Sequence, residues 1–266
     1  MLIEAIIMGI LQGFLEWLPI SSQGNIILLA VSIFGMNESE ALSLSVYLHA
    51  GTLLSALVYF RRAFWSLLRA VPNYRIRDRK KRENRLITFL LLSTILTGIV
   101  GYPVFNFAVA VARFSSIFFA LIGASLILTG VIQKKTRRLG TRSIDDINLK
   151  DGLILGIAQG FSAFPGISRS GITLSFLLFR RLNSESALKI SFLMSVPAVL
   201  AAEIGLSLIS GLMFPGFLEV AAGCLFSFIT GVVSIGILLK IAQKISLWKF
   251  CVAIGLIALI SSIPLP

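Results

Sequence analysis

The chain reads as an all-α polytopic membrane protein, with six transmembrane helices plus two re-entrant helix hairpins in an inverted-topology repeat. Three observations predict this fold. Of the 266 residues, 56% are hydrophobic and only 14% are charged, whereas soluble domains carry about 25% charged residues. Apolar runs of about 20 residues, the length a helix needs to cross the hydrocarbon core, recur along the chain. The third observation is a duplication. Gly9-Ile10-Leu11-Gln12-Gly13-Phe14 matches Gly156-Ile157-Ala158-Gln159-Gly160-Phe161, and the same ungapped offset pairs Ile20-Ser21 with Ile167-Ser168 and Gly24 with Gly171. A match held at one offset marks a repeat rather than shared composition.

Taken in order, residues 1–18 form an apolar helix that ends at Pro19, and a second short helix runs from Ser22 to Phe34. Each is short for a span and Pro and Gly break the pair, which suits a re-entrant hairpin. Residues 40–60 make a full span ending at Arg61-Arg62. A basic loop, 72–84, precedes spans at 86–105 and 114–132, and a second basic loop follows at 134–150. The second copy supplies another broken pair (150–163 and 168–180) and spans at 185–210, 217–239 and 246–263. The whole is one integral-membrane domain, 1–266, with repeat 1 over 1–133 and repeat 2 over 150–266.

Charge placement sets the orientation. All of the 24 Lys and Arg except Arg113 and Arg169 fall in residues 61–85, in 134–150, or at 180, 181, 189, 240, 244 and 249. This is the positive-inside pattern. It puts loops 72–84 and 134–150 in the cytoplasm and both termini outside a plasma membrane. The net charge of +12 therefore does not indicate nucleic acid, which needs its cations on one folded face. Three spans per repeat is an odd number, so the copies are inverted, and such repeats place their site at the repeat interface. Cys224 and Cys251 lie in apolar runs and read as small hydrophobes. Trp17, Trp65 and Trp248 read as packing or interface anchors.

The chemistry concentrates at the hairpin tips. Pro165-Gly166-Ile167-Ser168-Arg169-Ser170-Gly171-Ile172-Thr173 places a cation and three hydroxyls in apolar sequence. An arginine at membrane depth is costly unless it faces protein, water or an anion. Here it opens a helix, whose free amides and dipole favour an anion, and its planar fork suits phosphate. In the first tip, Glu16 stands where the second has Ala163, and Ser22 stands where it has Arg169. One copy thus supplies a carboxylate and the other a cation. Gln12 and Glu16, four apart, share a helix face. Two readings remain open: a phosphate site ringed by Ser21, Ser22, Ser168, Ser170 and Thr173, or a structural Glu16–Arg169 ion pair. Glu203, in the fifth span, is either a cavity-lining acid or one packed against a neighbouring helix.

The stretches Gln12–Gly24 and Pro165–Thr173 resemble the two signature motifs of the undecaprenyl-pyrophosphate phosphatases linked to bacitracin resistance, and the resemblance extends over essentially the whole chain. It implies hydrolysis of a polyprenyl pyrophosphate to the monophosphate and inorganic phosphate, recycling the lipid carrier for envelope glycan synthesis. The implied site opens to the outer face and uses a divalent cation, Mg²⁺ or Ca²⁺. Carried over residue by residue, the catalytic positions are Glu16, Ser22 and Arg169. The substrate contacts are Gln12, Ser21, Asn25, Ser168, Ser170, Gly171 and Thr173, and the metal ligands are Glu16 and Gln12. Asn25 departs from the pattern, because the family commonly has histidine there as a candidate nucleophile or base. Three replacements stand: Ser22 attacking with Glu16 assisting, metal-activated water, or His49, the only histidine. His49 itself is either that base or a packed structural histidine. The expected partners are the lipid substrate, the membrane and a second copy in a homodimer. A polyprenyl-phosphate carrier on the same fold is the alternative function.

Overall fold

The computed structural model describes residues 2–75, 81–136, 140–209, 216–244 and 247–263. The middle of the first basic loop (Arg77, Arg79, Lys80), residues 137–139 of the second and residues 210–215 lie outside the described residues. Among those described, the regular structure is helical: α1 (Leu2–Leu15), α2 (Ser22–Phe34), α3 (Glu38–Tyr59), α4 (Arg61–Ala70), α5 (Arg82–Val111), α6 (Ser115–Lys135), α7 (Leu149–Gly160), α8 (Arg169–Phe179), α9 (Ser184–Ile209), α10 (Phe217–Lys244) and α11 (Trp248–Ser261). No strand occurs among these residues beyond one isolated bridge between Arg142 and Leu182.

Five helices, α3, α5, α6, α9 and α10, are long and apolar enough to cross a membrane. The 14-residue α11 is about 21 Å long at about 1.5 Å per residue, short of a hydrocarbon core of about 30 Å. The same arithmetic applies to α1, α2, α7 and α8, which have 14, 13, 12 and 11 residues. Each helix of the two broken pairs is therefore shorter than a full span. Helix α4 has one buried residue, Leu67, and a basic outer face, and its Trp65 is 57% exposed beneath the Arg69 guanidinium. The sequence reading assigns no element to this stretch, which lies between the span ending at Arg61-Arg62 and the basic loop 72–84.

Local chemistry fixes the helix starts. Asn37 accepts from the Ser39 amide at 2.9 Å, with Glu38 and Glu40 in the positive first turn of α3. At α7, Asn148 and Asp151 form a capping box. Asp151, fully buried, also accepts from Arg142 Nη2 and Arg180 Nε, each at 2.6 Å. That triad ties the second loop to the base of the α7–α8 hairpin.

The hairpins pack crosswise: α1 lies along α10, and α7 lies along α5. The duplicated glycines make these contacts. A Cβ on Gly9 would fall 2.2 Å from the Gly223 carbonyl oxygen, and one on Gly156 would fall 2.8 Å from the Ser93 carbonyl oxygen. Gly13 and Gly160, one turn on, are as tightly placed against α10 and α5. Small residues four apart let backbones approach where lipid gives no hydrophobic drive to association. The Gly-x-x-x-Gly of each copy is thus a packing device, and only the glutamine within it faces the site chemistry.

Candidate active site

The two hairpin tips meet. Ser21, the N-cap of α2, adopts φ +61°, and its Oγ accepts from the amides of Gly24 at 3.4 Å and of Gly166 at 3.1 Å. A left-handed backbone is strained for a residue with a side chain, and here that geometry lets one hydroxyl bridge both tips. Ser170 Oγ donates to the Leu18 carbonyl at 3.3 Å. Helix α6 clamps the pair from one side. Thr129 Oγ1 donates to the Gly166 carbonyl at 3.1 Å and accepts from the Ser168 amide at 3.2 Å, and Gln133 Nε2 donates to the Pro19 carbonyl. Sequence reasoning missed Thr129 and Gln133. Their signal was two polar residues one turn apart in an apolar span.

Glu16 sits at the centre, 7% exposed, one residue beyond the end of α1. Its Oε1 accepts from Arg169 Nη2 across the repeat junction. Its Oε2 accepts from Ser22 Oγ at 2.7 Å and Gln12 Nε2 at 3.0 Å, and it faces His49 Nε2 at 3.4 Å. His49 Nδ1 lies 2.6 Å from the Ser45 carbonyl oxygen. A carbonyl cannot donate, so Nδ1 is the donor there, and Nε2 is the nitrogen presented to Glu16. A buried carboxylate needs such partners, and all four come from positions the sequence singled out.

Arg169 is the first residue of α8 and lies over the Phe192 ring at 5.8 Å. Its Nη2 is used by Glu16, while Nη1 is buried without a partner among the described residues. Ser168 caps α8 by accepting from the Gly171 amide at 3.1 Å. The amides of Arg169 and Ser170 are helix-start donors that no helical carbonyl can reach. These groups line a cavity of about 40 Å³ walled by Glu16, Ser21, Ser22, His49, Ser168, Arg169 and Ser170. A second chamber of about 130 Å³ shares Gln23, His49, Ser162 and Arg169 with it, and Glu203 lines that chamber among apolar side chains.

Two residues from the motifs point elsewhere. Thr173, fully buried, donates to the Arg169 carbonyl at 2.8 Å and pairs with Ser191 Oγ at 2.6 Å, so it packs α8 against α9. The Asn25 amide donates to the carbonyls of Ile20 and Ser21, both at 2.8 Å, and Asn25 is not among the cavity residues. Asn25 therefore holds the turn that carries Ser21 and Ser22. Gly171 has only its amide at the site, inside the Ser168 cap.

No group of three or more His, Cys, Asp or Glu is assembled among the described residues. The donor set does fit a hard divalent ion that takes one carboxylate and completes its shell with substrate phosphates. Gln12 Oε1 is buried without a partner among the described residues, one turn from Glu16.

A helical bundle with several membrane-length spans, holding a buried carboxylate–guanidinium pair where two short hairpins meet, is a polytopic membrane protein. The chain belongs to the family described as bacitracin resistance protein BacA, whose model matches residues 5–260. It is similar to proteins named undecaprenyl-diphosphatase: one from Methanococcoides burtonii at 45% identity, over 97% of both chains. Another from Methanothrix thermoacetophila is 37% identical over 97% of this chain and 95% of the relative. A third, from Haloarcula marismortui, is 32% identical over 96% and 94%.

Proposed function

We propose that this protein is a membrane phosphatase that hydrolyses undecaprenyl or a related polyprenyl diphosphate to the monophosphate and inorganic phosphate. The observation that carries the reading is the sharing of one carboxylate: Ser22 and His49 on Oε2 and Arg169 on Oε1. A structural ion pair would need neither the hydroxyl nor the imidazole. The relatives' names favour hydrolysis over a carrier role.

Arg169 holds the terminal phosphate through its unpartnered Nη1 and the amides at the start of α8. Ser22 Oγ attacks the terminal phosphorus in line. Its O–P bond forms as the bond from phosphorus to the bridging oxygen breaks, and the polyprenyl monophosphate leaves with that oxygen's electron pair. Glu16 Oε2 accepts the Ser22 proton and passes it to His49 Nε2. Water then attacks the phosphoserine phosphorus: its O–P bond forms as the P–Oγ bond breaks, one water proton passes to Ser22 Oγ, and phosphate leaves with the proton held on His49. Glu16 and Gln12 Oε1 would hold the divalent cation, Mg²⁺ or Ca²⁺, whose contribution is to neutralise charge on the diphosphate. The second chamber, with Val46, Phe105 and Ala198 in its walls, accommodates the first isoprene units. Acid-quenching a single turnover of farnesyl diphosphate and mapping phosphopeptides tests the covalent step. Phosphate on Ser22 is expected, and its absence with full product formation assigns attack to water.

The layout we propose is five long spans (α3, α5, α6, α9, α10) and a sixth, shorter one at α11, which crosses beside α6 with its flanking residues making up the length, plus re-entrant hairpins α1–α2 and α7–α8, in inverted repeats over about 1–133 and 150–266. The crosswise packing of α1 on α10 and α7 on α5 supports it. In a plasma membrane, loops 72–84 and 134–150 then face the cytoplasm, while both termini and the site mouth face out. A membrane-impermeant maleimide applied to intact cells should label Arg113→Cys and spare Arg75→Cys. The reverse pattern overturns the orientation.

A further inference from the structure

A cavity of about 660 Å³ opens where the α3–α4 junction meets the first turns of α9 and the last turns of α10. Four cations line it, Arg61, Arg62, Lys189 and Lys240, against one carboxylate, Glu185. Arg61 donates to the Val58 carbonyl at 3.0 Å. Arg62, Lys189 and Lys240 enter no ion pair among the described residues. The positive-inside rule asks only that basic residues lie in loops. It does not ask that three helices distant in sequence converge theirs on one walled cavity.

The rest of the wall is apolar, including Phe60, Leu188 and Leu239. Beside its mouth the outer edges of α3 and α10 expose Val58, Tyr59, Val233 and Ile237. A cationic pocket continuous with a lipid-facing apolar edge complements a phosphate headgroup on an apolar chain. The cavity is separate from the Glu16–Arg169 site. Phe60 stacks on Phe192 at 6.0 Å, Trp17 lies 5.6 Å from Phe192, and Arg169 sits over that same ring. This aromatic layer lies between a ligand in the cleft and the catalytic groups.

We propose that the cleft is a second lipid site, binding the phosphate headgroup of an anionic membrane lipid whose chain lies along the exposed edge of α3 and α10. The inference rests on the polytopic membrane fold and not on the hydrolysis reading. The test is native mass spectrometry of the full chain released from nanodiscs of phosphatidylcholine with phosphatidylglycerol. The wild type should retain phosphatidylglycerol in preference. Arg62→Gln/Lys240→Gln should lose that preference by about tenfold or more, given the attraction each basic residue exerts on anionic lipid. Its farnesyl diphosphate turnover should stay at the wild-type rate. Lys189→Gln, on another wall, should show a smaller loss in the same direction. Equal retention by wild type and the variants overturns the proposal. So does displacement of the bound mass by inorganic phosphate with no preference between the two lipids, which would make the cleft a soluble-anion site.

Discussion

Replacing Arg169 by lysine separates the phosphate clamp from the structural ion pair, because lysine keeps the charge and gives up the fork. In the folded protein one guanidinium arm is spent on Glu16 Oε1 and the other is buried without a partner among the described residues. If that second arm meets charge developing on the transferred phosphoryl group, losing it costs about 10²–10³ in kcat, the usual effect of removing one preorganised donor. Stability should change little, since an ammonium can still pair with Glu16. Arg169→Ala behaves differently. It strands a carboxylate that is 7% exposed, and breaking a buried pair costs about 3–5 kcal/mol, so both turnover and thermal stability should fall. The assay is phosphate release from farnesyl diphosphate in detergent, run beside a thermal melt of each variant. Wild-type turnover by Arg169→Lys would refute the clamp. Equal losses of stability and activity in both variants would reduce Arg169 to a structural partner.

Two further outcomes follow from the same geometry. His49→Ala should lower kcat about a hundredfold or more while leaving KM for farnesyl diphosphate near the wild-type value, because the imidazole serves the proton relay from Glu16 Oε2 rather than holding the diphosphate. An unchanged kcat returns His49 to a packing role. Asp151→Ala should destabilise the protein by about 3–5 kcal/mol, by leaving Arg142 and Arg180 without their shared carboxylate. The rate per folded molecule should be unchanged, and a melting temperature equal to wild type counts against the triad.

What the sequence made legible was mostly local. Proline and glycine break the hairpins where the chain shows them, α2 and α8 open close to the expected residues, and the exchange of Ser22 for Arg169 between copies announced a carboxylate facing a cation. The structure brings Glu16, Ser22, Arg169 and His49 together, which no spacing in the chain required of His49. What stayed hidden was where the motif residues spend their bonds. Thr173 fits the motif but spends its hydroxyl on Ser191 of α9. Asn25 spends its amide on the turn carbonyls. The motif glycines answer to Gly223 and Ser93, residues far away in the chain. Helix α4 was hidden because its basic face carries the same charges as the loop that follows it.

The central claim is that polyprenyl diphosphate is cleaved at the carboxylate shared by Ser22, His49 and Arg169. Phosphate release from farnesyl and undecaprenyl diphosphate by purified protein, with Mg²⁺ and with EDTA, for wild type and Glu16→Gln, tests it most directly. The account predicts metal-dependent release by the wild type and loss of both release and metal response in Glu16→Gln, with the fold retained. No release by the wild type, or undiminished release by Glu16→Gln, would contradict it.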